Sequence, residues 1–259
     1  MNQVRPLSEP AALDVLFTPA DFGAVDPARI ATATCVVFDV LRATTTIVTA
    51  LANGARAVIP VPDIAAALAV REQEPDVLLG GERHGVRIGP ELTGGIGFDL
   101  GNSPREHTRE RVAGRTIVTT TTNGTRALSA CAPAAVVYGA AFLDLGALAA
   151  RLRRDRPDRL LLVCSGTYEE AAWEDVVGAG ALVDRLWGAY GSDASDAAQL
   201  ARTAWLAARD DLLGSMARSR NARRLLSMPA LAGDVAACLE VDVTDTIARL
   251  AGDRLVADP

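Results

Sequence analysis

Residues 35–51 read CVVFDVLRATTTIVTAL. An apolar, β-rich run delivers Asp39, then Arg42, then Thr44, Thr45 and Thr46, after which the apolar spacing turns helical. The step from a near-continuous apolar run to a 3.6-residue period marks a buried strand entering a helix, the unit from which parallel sheets are built.

The same format recurs along the chain. RAVIPVP (56–62) leads into DIAAALAVREQ, TIVTTTTNG (116–124) into TRALSACAP, and RLLLVCSG (159–166) through an acidic loop into EDVVGAGALVDRLWGAYG. Alternating units of this kind predict an α/β fold, a three-layer α/β/α arrangement around a mostly parallel or mixed sheet. No low-complexity linker divides the chain, so residues 1–259 read as one domain or as two closely packed α/β lobes. The first and third units look faintly alike, through an internal duplication or the β-propensity of threonine; no fixed long period extends beyond these pieces, which favours the second.

Other segments carry local signals. In GNSPREHTRERVAG, Ser103 is placed as an N-cap, Pro104 at the first helical position, Glu106 three residues after the cap and Gly114 at the stop. From about residue 192 the chain is helical in period, and its arginines are expected on a solvated face.

Composition excludes several function classes. All 26 basic residues are arginine, so a Walker-type phosphate loop, a Schiff-base lysine and a lysine general base are absent. A net charge of -6 argues against nucleic-acid binding. Two histidines, His84 and His107, make a multi-histidine zinc site improbable, while an oxygen-ligated cation such as Mg²⁺ stays open. Cys35, Cys131, Cys164 and Cys238 are widely spaced and suggest neither a metal knuckle nor a disulfide framework. The chain has no apolar run of about 18 residues and no signal-like N-terminus, so it reads as soluble and cytoplasmic, with no membrane partner.

In parallel α/β sheets, ligands bind where strand C-termini meet helix N-termini. Three polar clusters fall there: Asp39, Arg42, Thr44, Thr45 and Thr46; residues 119–125, with Thr121, Asn123, Gly124 and Thr125; and residues 165–175, with Glu174 and Asp175. Free amides at a helix start, hydroxyls and a guanidinium suit an anion. Strand propensity, an Asn-Gly turn and acids at a helix start are the structural alternative. A fourth, glycine-dense segment (78–104) contributes Glu82, Arg83, Arg87, Asp99 and Asn102. Carboxylates beside anion-binding elements suggest metal-assisted phosphoryl transfer, with Mg²⁺ held by Glu82, Asp175 and Asp39, and Arg42 neutralising charge. A thiolate phosphatase loop is missing, and the second aspartate of a haloacid-dehalogenase motif is replaced by Leu41.

VVFDVLRATTTIVTALANGA, GGERHGVRIGPELTGGIGFDLGNSP, TTTTNGTRAL and WEDVVGAGALVDRL, and more loosely SRNARRL and DVAACLEVD, together resemble the 2-phosphosulfolactate phosphatase family over most of the chain. The resemblance implies Mg²⁺-dependent hydrolysis of 2-phospho-3-sulfolactate to sulfolactate and phosphate, a step of coenzyme M biosynthesis. It carries over to Asp39, Arg42, Thr44, Thr45, Glu82, Asn102, Ser103, Thr121, Asn123, Gly124, Thr125 and Asp175. Glu82 and Asp175 are assigned to the metal. Arg42 and the Thr-Asn-Gly-Thr loop are assigned to phosphate or sulfonate, and Thr44, Thr45 and Asn102 are counted as substrate-binding. Asp39 is either a nucleophile or a metal ligand that orients water, and the missing haloacid-dehalogenase acid favours the second. A phosphatase for another phosphorylated hydroxy acid, or a non-catalytic anion-binding or regulatory protein, are the alternatives. A homo-oligomer is compatible with the sequence.

Overall fold

Every residue of the strands Thr34–Phe38 (β2), Thr116–Thr120 (β6) and Leu160–Cys164 (β8) is buried, the three threonines of β6 included, as in strands covered on both faces. The computed structural model describes residues 11–258. The remaining strands are Leu13–Leu16 (β1), Ala57–Pro60 (β3), Leu78–Arg83 (β4), Val86–Arg87 (β5), Val136–Ala140 (β7), Ile247–Ala251 (β9) and Arg254–Asp258 (β10). They form one ten-stranded sheet in the order β1-β8-β2-β7-β9-β10-β3-β6-β4-β5.

The sheet contains two parallel groups, β1-β8-β2-β7 and β3-β6-β4. Between them lies the antiparallel hairpin β9-β10, which joins β7 on one side and β3 on the other. The expected mixed α/β architecture is present. The hairpin is an addition to the expected units, since the helical period before it dominates the last third of the chain. IARLAGDRLVAD carries the missed signal, two short alternating runs around a Gly-Asp turn in which Gly252 has φ +65°.

Helices cover both faces. On one, Leu145–Asp155, Trp173–Tyr190 and Asp196–Ala208 pack over the first parallel group. On the other, Ala43–Ala52 and Gly124–Cys131 share an apolar cluster with Val37, Val137, Ala248, Leu255, Val58 and Ile117. That cluster draws residues from both parallel groups and from the hairpin. Right-handed twist accumulates across such a sheet, and the C-terminal ends of β2, β8, β4 and β6 all reach a common cavity.

The segment after Ser103 departs from expectation. It forms a 3₁₀ turn at Pro104–Glu106 and a separate short helix at Arg109–Val112, with no side-chain cap from Ser103. The Ser103 hydroxyl donates instead to Asp234 Oδ1 at 2.6 Å, and Glu106 Oε2 accepts from the Gly101 amide. A tertiary carboxylate has outcompeted the local cap.

Helices Trp173–Tyr190 and Asp196–Ala208 approach so closely that a Cβ at Gly180 would stand 1.9 Å from the Ala201 carbonyl oxygen. Backbone cannot yield as a side chain does, so Gly180→Ala should lose about 2–3 kcal/mol in urea denaturation. Gly188, in the same helix with open space around its Cβ position, should gain up to about 1 kcal/mol as alanine, the ordinary helix-propensity difference.

Candidate active site

The turn after β2 is held by its own threonines. The Asp39 amide donates to Thr44 Oγ1 at 2.9 Å, and Thr45 Oγ1 donates to the Val40 carbonyl at 2.8 Å. Asp39 Oδ1 accepts the Ala43 amide at 3.0 Å, at the start of helix Ala43–Ala52. Threonine suits this duty because its short hydroxyl reaches nearby backbone groups. Asp175, in the first turn of helix Trp173–Tyr190, accepts from the Val40 amide at 2.8 Å and the Gly166 amide at 3.1 Å. One buried carboxylate therefore ties the ends of β2 and β8 together.

Arg42 is buried, and its guanidinium meets Asp234 Oδ2 at 2.7 Å and the Gly85 carbonyl at 2.7 Å. Glu82, at the end of β4, accepts from the Gly85 amide at 2.6 Å on Oε2. Its Oε1 accepts from the Thr122 amide at 3.0 Å and the Thr122 hydroxyl at 2.9 Å. The ends of β4 and β6 are thus joined by a carboxylate, as β2 and β8 are joined by Asp175.

These bonds enclose a cavity of about 180 Å³, sized for a small molecule. Asp39, Arg42, Glu82 and Asp175 line it, as do Asn102, Thr121 and Asn123. The structure does not place Thr44, Thr45, Gly124 or Thr125 on its wall. The hydroxyls of Thr44 and Thr45 are spent on the β2 turn, and Thr125 Oγ1 donates to the Thr121 carbonyl at 3.0 Å. Gly124 serves by lacking a side chain, since a Cβ there would fall 2.6 Å from Ala43 Cβ and 2.7 Å from Asp39 Oδ2. In this structure the four residues support the wall from behind rather than line it.

Thr122, from the expected threonine cluster, orients Glu82. The wall also holds residues that the sequence did not single out. Helix Arg220–Leu226, expected to be solvated surface, sends Asn221 and Arg224 to the cavity. Asn221 donates to Glu174 Oε1 at 2.5 Å and to Thr167 Oγ1 at 2.7 Å. Arg224 donates to the His84 carbonyl. The arginine-rich spacing of SRNARRL hid them, because a charged helical face reads as solvent-facing whether or not one turn of it meets a cleft.

The electrostatics of the cavity are dominated by four carboxylates, Asp39, Glu82, Glu174 and Asp175. Burial raises the Asp39 pKa to about 6. The Ala43 amide and Arg42 oppose that rise, and the nearby charges of Glu82 and Glu174 add to it. Burial likewise pushes Asp175 well above the usual carboxylate range, helped by Asp39 and Glu174. Glu174 Oε2 is buried with no hydrogen-bond partner. A deficit of positive charge and an unpartnered carboxylate oxygen are what a hard cation would satisfy. No group of three or more His, Cys, Asp or Glu among the described residues forms a ready metal cage.

The Asp39 shift has a definite sign. A folded pKa of about 6, above the ordinary 3.8, means that the carboxylate form costs stability above pH 6 and that the cost disappears below pH 4. Asp39→Asn should therefore stabilise the metal-free protein in EDTA by on the order of 2 kcal/mol at pH 8, with the gain fading towards pH 4 in parallel urea titrations. Asp234→Ala should act oppositely. Stranding the Arg42 charge costs about 3–5 kcal/mol, and the double variant Arg42→Met/Asp234→Ala should recover much of that loss.

Residues 23–253 match the family described as 2-phosphosulpholactate phosphatase. A probable 2-phosphosulfolactate phosphatase of Pseudothermotoga lettingae is 38% identical over 245 residues, covering 94% of this chain and 98% of that protein. Proteins of the same name from Gloeobacter violaceus and a Synechococcus species are 41% and 42% identical, covering 83% and 84% of this chain and 86% and 88% of theirs. With its matched region spanning the whole wall of the cavity, the chain belongs to the 2-phosphosulpholactate phosphatase family.

Proposed function

We propose that the protein is a Mg²⁺-dependent phosphoric monoester hydrolase that converts 2-phospho-3-sulfolactate and water to 3-sulfolactate and phosphate. The observation that carries the reading is the pairing of carboxylates and guanidiniums on one small cavity in a chain of this family. A multiply charged anion would be repelled by four acids alone, and a cation between acids and phosphate removes that repulsion.

The structure supports a division of labour among the acids that differs from the expected one. Both oxygens of Glu82 and both of Asp175 already accept N–H or O–H donors, chiefly from the backbone. Asp39 Oδ2 and Glu174 Oε2 take no hydrogen bond from the described residues. In this proposal Asp39 and Glu174 hold the metal, while Glu82 and Asp175 fix the loops that carry them. When bound, Mg²⁺ supplies charge neutralisation at the phosphoryl oxygens and a lowered pKa for attacking water.

Asp39, ionised, would orient the attacking water; as the water oxygen bonds to phosphorus and the P–O ester bond breaks, the proton the water loses is matched by the one the departing sulfolactate oxygen takes up. Arg42, clamped by Asp234, presents its remaining N–H groups in a fixed position, where preorganisation counts most. Asn221 locks the Glu174 carboxylate in place through its 2.5 Å bond. No helix among the described residues is long and apolar enough to cross a membrane. All four cysteines are free and buried, which fits the cytoplasmic setting that forms part of the proposal, as does a place in coenzyme M synthesis.

The test is phosphate release from 2-phosphosulfolactate with Mg²⁺ and with EDTA. Release should be lost in EDTA and restored by excess Mg²⁺. Asp39→Asn and Glu174→Gln should each lower kcat at least about 100-fold, the usual scale for a general base or metal ligand. Unchanged release in EDTA would reject the metal, and near-normal turnover by Asp39→Asn would remove Asp39 from the chemistry.

A further inference from the structure

Three guanidiniums reach the cavity, those of Arg42, Arg83 and Arg224, and they are not equivalent. Arg42 is neutralised by Asp234 at 2.7 Å. Arg83 is pinned by acceptors of its own chain, the carbonyls of Glu82 and Thr120 and the Thr120 hydroxyl. Arg224 is exposed at the rim, donates only to the His84 carbonyl, and has no carboxylate within 4.0 Å among the described residues. Its charge is therefore the least committed on the wall.

Between Arg224 and Arg42 lies a gap made by a missing side chain. Gly85, at φ +80°, would place a Cβ 3.8 Å from the Arg224 Nη2 and 4.0 Å from the Arg42 Nη2. The space that a methyl group would fill is thus bordered by two guanidinium nitrogens at contact distance. Guanidinium forks suit tetrahedral oxyanions, which offer several oxygens to several N–H groups.

We infer that Arg224, with Gly85 and Arg42, forms the subsite that reads the sulfonate, and that it sets the preference for a sulfonated over a plain phosphorylated hydroxy acid. This rests on the phosphatase reading and assigns the second anionic group of its substrate. The phosphoester oxygen and the carboxylate share one carbon of 2-phosphosulfolactate, whereas the sulfonate sits one methylene farther out. With the phosphoryl group drawn to Asp39 and Glu174, the group that extends farthest is the one able to reach the rim. His84, held at φ +56° by the same turn, gives up its carbonyl to Arg224, which fixes the guanidinium before substrate arrives.

The experiment compares wild type with Arg224→Ala and Arg224→Lys on 2-phosphosulfolactate and phospholactate. It also follows the rise in Tm produced by 3-sulfolactate and by lactate. With the charge-assisted hydrogen bond removed, Arg224→Ala should lower kcat/KM for the sulfonated ester about 30-fold, mainly through KM. The value for phospholactate should move less than about threefold, and the alanine variant should lose the thermal shift by sulfolactate. Arg224→Lys, which keeps charge but not the fork, should fall between.

Equal losses on both esters would overturn the assignment, since the residue would then serve the phosphate, the carboxylate or the His84 turn. No loss on either would overturn it as well. Should wild type hydrolyse neither ester, the phosphatase reading fails, and the thermal shift by sulfolactate in wild type against Arg224→Ala decides the subsite alone. Arg224 is exposed, so the unliganded Tm of the alanine variant should stay near wild type.

Discussion

The ion pair between Arg42 and Asp234 holds the site together. It joins residues 192 apart in sequence, and both side chains are withdrawn from water. Asp234 also accepts from Ser103, while Arg42 donates to Gly85. The turn after β2, both ends of the glycine-dense segment and the short helix Ala232–Cys238 thus meet at one carboxylate and one guanidinium. Such a pair contributes little net stability once desolvation is subtracted, but separating its members is costly. Its value lies in fixing register between segments that no strand pairing connects.

Around that anchor the protein accepts an electrostatic cost. Asp39, Glu82, Glu174 and Asp175 crowd one cavity, and burial together with mutual repulsion holds the Asp39 and Asp175 pKa values up. The backbone amides of Val40, Ala43, Gly85, Thr122 and Gly166 repay part of it through hydrogen bonds to these acids. Glu82 and Asp175 stand in parallel roles, each closing the ends of two neighbouring parallel strands. The pattern is that of a site whose stability is sacrificed locally so that charge is ready for a ligand.

Much of this was legible in the sequence, for physical reasons that differ from place to place. The buried strands β2 and β8 are legible as apolar runs and β6 as a β-branched run of threonine, isoleucine and valine; Asp39 and Glu82 stand out as acids following an apolar run, and Asp175 as part of the acidic cluster between β8 and the next helix. The roles of Thr44, Thr45 and Thr125 were not legible, since a hydroxyl that faces a ligand and one that ties down its own turn have the same sequence signature. Asp234 and Asn221 lay in loosely matching helical segments, and nothing local to them reveals a partner more than a hundred residues away or across a loop. The β9-β10 hairpin was hidden by the helical period of the residues before it.

That hairpin sits in the middle of the sheet although it comes last in the chain. The strands on its two sides, β7 and β3, have no ladder to each other, so their groups are connected along the sheet only through residues 247–258. A ribosome would release most of the strands long before the piece that bridges them. The apolar edges of β7 and β3 must then wait unpaired, in reach of any other extended segment. Among the described strands β9 and β10 are the latest in sequence, so completion of the sheet between its two parallel groups waits on the synthesis of residues 247–258.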